Sequence, residues 1–235
     1  MPNFKNRSYQ AELMDMPIED KKALFVNLKE LIFINKLTGG PSVVFKQIKK
    51  LFLHKTDNLT LLDVGFGAGD LLNYVTKNQN KLDFSIQLSG VDIMPETLEF
   101  VKLHYPTLPS QANLMLNDYK KSFDSSQQQI DIITANLFCH HLSEQELQIF
   151  LKTAHTNARK ATIINDLHRH PVAYWFIKFA AALFSKSAFT KHDAPLSVLR
   201  GFTKAEWETQ LQKAGITNYT VEWKWAFRHL ITIYP

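Results

Sequence analysis

LTLLDVGFGAGD, residues 59–70, reads as a buried strand that runs into a glycine turn and then a helix. Leu59, Leu61, Leu62 and Val64 give an apolar run of the kind a strand covered on both faces requires. Gly65, Gly67 and Gly69 follow at spacings of two, three of only eight glycines in the chain. Positions without side chains let the backbone turn tightly and approach a ligand, and the helix that follows offers free N–H groups at its start. A dinucleotide site calls for G-x-G-x-x-G, but Asp70 stands where the third glycine belongs. An acid there opposes a pyrophosphate, and Asp63 just ahead of the glycines suits a cationic ligand. A nicotinamide-dependent reductase is therefore disfavoured, as is a purely structural turn.

Outward from this unit the alternation repeats. SIQLSGVDI (85–93), NLMLND (113–118), IDIITAN (130–136) and ATIINDL (161–167) read as strands. Helices are expected from Pro95, over SEQELQIFLKTAH (143–155) with Ser143 and Glu146 as a capping box, and over Pro171–Phe189. FTKAEWETQLQKAG (202–215) is a helix stopped by Gly215. NYTVEWKWAFRHLITIYP (218–235) reads as two strands with a bend near Trp225–Arg228. Upstream, residues 18–37 have helical spacing, Gly39-Gly40-Pro41 breaks it, and Ser42–Leu53 resumes it. The QQQ at 127–129 reads as a loop. This order predicts an α/β fold, a Rossmann-like seven-stranded mostly parallel sheet with one antiparallel edge strand, helices on both faces and an N-terminal helical cap. One domain is expected over 1–235, with the cap in 1–55 and an inserted substrate-covering segment at 170–200.

In a chain of 235 residues, 45% hydrophobic and 21% charged residues exclude a disordered tail, a collagen repeat and a coiled coil. The single cysteine, Cys139, excludes an internal disulfide and a cysteine zinc finger, and a reducing compartment is the simplest reading. The N-terminus has no apolar core of signal-peptide length. Residues 171–189 carry Lys178 and Lys186, costly in lipid, so they read as a buried or substrate-covering helix. A cytoplasmic protein without stable membrane insertion is expected. The net charge of +5 permits an anionic partner without demanding one.

Ligands of such a sheet bind beyond the carboxyl ends of the strands. Asp92 ends the second strand, where an acid accepts two hydrogen bonds from ribose hydroxyls. Asn117, Asp118 and Tyr119 follow the third; a carboxylate there could accept a hydrogen bond from an exocyclic adenine amine, with Tyr119 or Met94 against the ring. Asn136 and Leu137 follow the fourth strand, then His140 and His141; Asp166, His168, Arg169 and His170 follow the fifth. Five of nine histidines, at 140, 141, 168, 170 and 192, should converge on one rim, and histidine is the natural base near neutral pH. A metal set of His140, His168, His170 and Asp166 matches no known ligand spacing, so no metal is expected.

Together these residues resemble the class I S-adenosylmethionine (SAM)-dependent methyltransferases: DVGFGAG their glycine motif, GVDI their ribose acid, LNDY their adenine-side acid. Within that class the chain is similar to small-molecule methyltransferases related to quinone-biosynthesis methylases and to those found beside type III polyketide synthases. ELMDMPIEDKKAL (12–24), INKLTGG (34–40), NDLHRHPVAYW (165–175) and HDAPLSVLRGFTKAEW (192–207) carry this finer likeness. The resemblance implies SAM as cofactor and S-adenosylhomocysteine as product. It places Gly65, Gly67 and Gly69 under the methionine part and ribose, Asp63 facing the methionine amine, and Asp92 on the ribose. Ile93 and Met94 would pack on the adenine, Asp118 accept from its amine, and Asn136 and Leu137 contact the methionyl end.

The implied reaction is methyl transfer to a small-molecule acceptor, aromatic or lipid-like: a phenolic, quinol or polyketide-type oxygen or carbon. His141 and His168 are the candidates for a base, and Arg169 and Arg200 for holding an oxyanion. A monomer or homodimer is expected. A nucleic-acid methyltransferase is the first alternative; the turn after the fourth strand lacks the proline pair usual for amino methylation, and the basic residues are scattered, so no nucleic-acid partner is expected. A non-catalytic binding module is the second, opposed by the intact glycines and acids.

Overall fold

Successive residues of a strand point to opposite faces of a sheet, so unbroken apolar runs need a cover on both sides. The computed structural model, which describes residues 2–53, 58–125 and 130–235, supplies it. The strands are β1 (Leu59–Val64), β2 (Ile86–Asp92), β3 (Ala112–Leu116), β4 (Ile130–Asn136), β5 (Ala158–Leu167), β6 (Tyr219–Lys224) and β7 (Arg228–Ile233). They form one sheet in the order β3-β2-β1-β4-β5-β7-β6. β7 runs antiparallel to β5 and β6 on its two sides, and the other neighbouring strands pair in parallel. The strand order reverses between β1 and β4, which is where such folds bind ligands.

The helices are α1 (Lys21–Leu37), α2 (Gly40–Leu51), α3 (Asp70–Asn78), α4 (Pro95–His104), α5 (Tyr119–Ser125), α6 (Glu144–Asn157), α7 (Pro171–Phe184), α8 (Ala188–Arg200) and α9 (Lys204–Lys213). Val44 and Ile48 of α2, Leu72 of α3 and Val101 of α4 pack over Leu61, Ile132 and Ile163. Phe123 of α5, Phe150 of α6 and Trp207 of α9 pack over Leu62, Ile133 and Ile164 on the other face. Each such buried side chain contributes roughly 1.5–3 kcal/mol. Leu24 and Leu28 of α1 pack against Ala68 and Phe100, at the carboxyl edge of the sheet, and α7 packs with α8 through Tyr174 and Val198.

Several elements differ from the sequence reading. The helix expected over Pro171–Phe189 ends at Phe184; after Ser185, the Ser187 side chain caps a separate α8 by accepting from the Thr190 N–H. Nor is α7 buried, because Phe176, Phe179 and Phe184 are 68%, 67% and 81% exposed. Pro41, read as a breaker, sits in the first turn of α2, where its missing N–H costs nothing. The seven residues of α5 are too few for a periodic signal. The glutamine run at 127–129 lies outside the described residues.

His229 on β7 is buried, and neither ring nitrogen makes a hydrogen bond. Burial, then the neighbouring His168, lowers its pKa to about 4. The unfolded chain therefore takes up this proton near pH 6.5, before the folded one does. Stability from neutral His229 is present above that value and lost as pH falls toward 4. Urea unfolding at pH 7 and pH 5 should show a loss of about 2 kcal/mol from this group. His229→Phe should remove that part of the decline, and an unchanged pH dependence would contradict the assignment.

Candidate functional site

The turn after β1 is built on its glycines. Gly65 has φ +69°, and a Cβ there would strike the Phe138 ring. Gly69 caps α3 at φ +72°, with a Cβ position 2.8 Å from Val101. The Gly65 N–H donates to the Val91 carbonyl (2.8 Å), which ties the turn to β2. Asp92, at the end of β2, accepts from the N–H groups of Gly67 (2.8 Å) and Met94 (2.9 Å). That fixes its carboxylate between loop and helix with acceptor capacity left over.

A cavity of about 530 Å³ opens over these strand ends, within the usual range for small-ligand sites. Gly65, Gly67, Asp92, Ile93, Met94, Asn117, Asp118, Tyr119, Asn136 and Leu137 all line it. Leu137 takes φ +57° while its N–H donates to the Asn165 carbonyl (2.8 Å). Strand order sets the sequence along the wall: Asp118 after β3, Asp92 after β2, the glycine turn after β1, Asn136 and Leu137 after β4. Gly69 and Asp63 are not on the wall. Gly69 shapes the start of α3. Asp63 lies inside β1, fully buried, accepting from the Thr134 hydroxyl at 2.7 Å. Burial raises its pKa to about 8, with Asp70 and Asp92 adding repulsion. Burial raises Asp70 and Asp92 as well. Three desolvated carboxyls around one turn favour a ligand with positive charge.

The wall also holds residues that strand-end reasoning passed over. Asn35 of α1 donates to Asp70 (3.0 Å) and accepts from Arg228 (3.2 Å), which also donates to the Thr38 hydroxyl (2.7 Å). Arg228 is 2% exposed, and its Nε and Nη1 have no partner. This pairs a cation with an anion at the β7 side of the cavity. Asn35 falls within INKLTGG, so the signal lay in the N-terminal stretch; nothing in the sequence singles out Arg228.

Of the histidines, His140 and His141 reach the cavity. The His141 Nδ1 lies 2.9 Å from Asp15, which Arg200 also contacts at 2.9 Å. Burial pushes the Asp15 pKa up, but the hydrogen bond and charge of His141 outweigh it, together with an Asp15 bond to the Glu12 backbone and Arg200, and hold it at about 2. A carboxylate there assigns the proton to Nδ1 and leaves the Nε2 lone pair free. His140 Nδ1 pairs with buried Asp166 (2.6 Å), which also accepts from the N–H groups of His140 (2.8 Å) and Leu167 (2.7 Å). Glu12, His140 and His141 bring one ligand atom each within 4.8 Å of one another. His140, His168, His170 and Asp166 are divided among other partners: Asp166 is engaged by His140 and Leu167, the His168 ring lies tilted against His229, and His170 stacks on Phe227.

The remaining catalytic candidates lie off the wall. His168 packs against His229 with ring centroids 4.5 Å apart. Arg169 donates to the carbonyls of Phe4, Lys5 and Gly201 and to Glu206. Arg200 donates to the carbonyls of Gln10, His140 and His141 and to Asp15. Both guanidinium groups are buried and spent on fastening the N-terminal segment, which takes them out of reach of an oxyanion in the cavity. His192 pairs with Asp193 (2.7 Å), whose carboxylate also accepts from the N–H groups of Leu13 and Met14.

Residues 61–160 match the family model described as a methyltransferase domain. The matched segment is under half of the chain, and the architecture is the Rossmann-like methyltransferase fold. Human N-acetylserotonin methyltransferase, solved in complex with SAM, aligns at a TM-score of 0.64 and 14% identity, covering 97% of this chain and 62% of that one. An O-methyltransferase family 2 protein from Planctomyces limnophilus, in complex with apigenin, aligns at 0.62 and 14% identity, covering 93% and 62%. An O-methyltransferase family protein from Burkholderia thailandensis aligns at 0.64 and 13% identity, covering 92% and 60%. At these identities the likeness is one of fold, and the chain spans about three fifths of the length of these proteins. A comparison with curated proteins returns no match.

Removing the buried Asp166 carboxylate leaves three donors without a partner. Asp166→Ala is expected to cost about 3 kcal/mol, which in a chain of this size lowers the melting temperature by roughly 6–12 °C. A calorimetric scan checks this; a shift under about 2 °C would mean that the His140 turn stands without it.

Proposed function

We propose that the protein is a SAM-dependent methyltransferase of a small phenolic, quinol or polyketide-type acceptor, with His141 as the base. One observation carries the reading: the glycine turn, Asp92 and Asp118 share a single cavity wall with the His141–Asp15 pair. The residues fit the cofactor. Gly67 leaves open backbone where a side chain would stand, Asp92 keeps acceptor capacity for the ribose, and Arg228 has orphaned donors facing no protein acceptor. Ile93 and Met94 pack on the adenine, Asn117, Asp118 and Tyr119 border it, and Asn136 and Leu137 border the methionyl end. Arg228 and Asp70, bridged by Asn35, receive the carboxylate and ammonium of the amino-acid tail. Asp63 acts from behind the loop.

When bound, SAM supplies a methyl group on a sulfonium; the chain aligns the acceptor with it. His141 Nε2 takes the acceptor proton, and Asp15 stabilises the imidazolium that results. The N-terminal segment 1–55 and residues 170–200 form the cap of a single methyltransferase domain. They give the acceptor an apolar site through Leu28, Leu31, Phe176 and Ile177 and exclude water. That lining and the finer sequence likeness support an aromatic or alkyl-bearing acceptor.

Calorimetric titration tests the cofactor half. Wild type should bind SAM and S-adenosylhomocysteine, and Asp92→Ala should weaken both by ~10-fold or more, about 1.4 kcal/mol of ribose hydrogen bonding. No binding by wild type would overturn the reading in favour of a non-catalytic module. For the base, a panel of phenols, quinols and polyketide-type enols is assayed with His141→Gln. A loss of roughly 10²–10⁴ in kcat is expected, with cofactor affinity unchanged; undiminished turnover would remove His141 from the mechanism.

A further inference from the structure

Helix α7 carries most of its large apolar side chains on the outside. Val172, Trp175, Phe176, Phe179 and Leu183 recur at i, i+3, i+4, i+7 and i+11, and with Phe184 they are between 52% and 81% exposed. Ala173, Tyr174 and Ala181 face the protein instead. A second stripe adjoins the first. On α1, Val26, Phe33 and Leu37 are exposed at i, i+7 and i+11. Between them in the same stripe, Glu30 accepts from the Ser185 hydroxyl and the Lys186 N–H at the end of α7. Trp225, 68% exposed in the turn before β7, extends the face beyond Phe227, which packs with Tyr174. An apolar face of this extent on a single chain marks an interaction surface.

Charge decides what covers it. From Pro171 to His192 the sequence holds Lys178, Lys186 and Lys191 and no acidic residue. The Lys178 ammonium lies 5.2 Å from the Trp175 ring and 5.6 Å from that of Tyr174, at the margin of the stripe. The one acid on the adjoining stripe, Glu30, is already bonded to the protein. A second copy of the chain would bring lysines to lysines with no carboxylate to pair them. An anionic lipid surface supplies the missing charge and accepts the aromatic rings. At 14 residues α7 is about 21 Å long, short of the ~30 Å hydrocarbon core, and no described helix is long and apolar enough to cross a membrane.

We propose that the α7 face docks the protein on the surface of a membrane containing anionic lipids, with α7 lying in the plane of the interface. The geometry is that of an amphipathic interfacial helix, apolar rings in the acyl boundary and lysines at the headgroups. Phe176 and Ile177 also line the cavity, so the helix that meets the lipid is also a wall of the site, and an apolar ligand passes between them without crossing water. This docking stands whether or not the chain transfers methyl groups.

Flotation with vesicles of phosphatidylcholine alone and of phosphatidylcholine with 30 mol% phosphatidylglycerol tests it. Wild type should float with the anionic vesicles at least ten-fold more than with the neutral ones, and 0.5 M salt should weaken this. Phe179→Asp combined with Phe184→Asp, two exposed residues off the cavity wall, should abolish flotation while the melting temperature is kept. Wild type that stays unbound to anionic vesicles, or that floats equally with both kinds, overturns the proposal. So does a wild-type dimer in light scattering that the double variant makes monomeric with no vesicle binding; the face would then belong to a second copy.

Discussion

The carboxylate of Asp166 is the point on which the candidate site depends. It stands fully buried at the end of β5 and accepts from both the backbone and the ring of His140 and from the N–H of Leu167. Burial alone pushes such a group toward its neutral form; the charge of and hydrogen bond from His140 reverse that and hold it below its ordinary range. The turn after β4 is thereby fixed against β5. With the turn fixed, the carbonyls of His140, His141 and Leu142 become anchors for Arg7 and Arg200. Those arginines, with Arg169, hold the N-terminal segment in place, and the segment delivers Asp15 to His141. A chain of charge-assisted bonds thus runs from the interior of the sheet to the cavity wall.

The cavity owes its polarity to strand order. Adjacent strands β3, β2, β1, β4 and β5 end along one line, so residues scattered from 65 to 167 become neighbours on one wall. Acids dominate the β1–β3 side. Beyond β5, the reversed direction of β7 places its first residue, Arg228, at the same edge. The Arg228 guanidinium reaches back toward Asp70 through Asn35, and a ligand bearing both charges meets both. The aromatic residues beneath, Tyr119, Phe138 and Phe150, interlock edge to face with centroids 5.6–5.9 Å apart. They lend rigidity to a turn where Leu137 takes a left-handed backbone.

The strands and most helices were legible because their signals are local. The run LTLLDV has no polar alternation to allow any reading but a doubly covered strand, and Ser143 with Glu146 marks a helix start within four residues. The cavity-wall residues that follow β1 to β4 were legible for a related reason: the ends of parallel strands are where such sheets bind, so naming the strands names the wall. The histidine and arginine side of the cavity was less so. Arg169 and Arg200 look like free cations in the sequence, yet their donors are consumed by carbonyls and carboxylates that lie 32 to 190 residues away along the chain. Asp15 sits in a polar stretch with no periodic signal, and only the folded strap brings it to His141. The aromatic run after β5 reads equally as a buried or a substrate-covering helix, because composition records apolarity but not which side of a helix is covered.

By itself the sequence determined the class of fold, the succession of strands along the chain and the turn that shapes the cavity, since apolar periodicity, glycine conformation and capping act over a few residues. Only the tertiary structure decided which polar groups are free. Whether an arginine is a ligand contact or a fastener, whether a histidine has a carboxylate behind it, and whether a phenylalanine is core or surface depend on what distant chain arrives beside it. Desolvation and hydrogen bonding, which set those roles, are properties of the packed neighbourhood rather than of the residue.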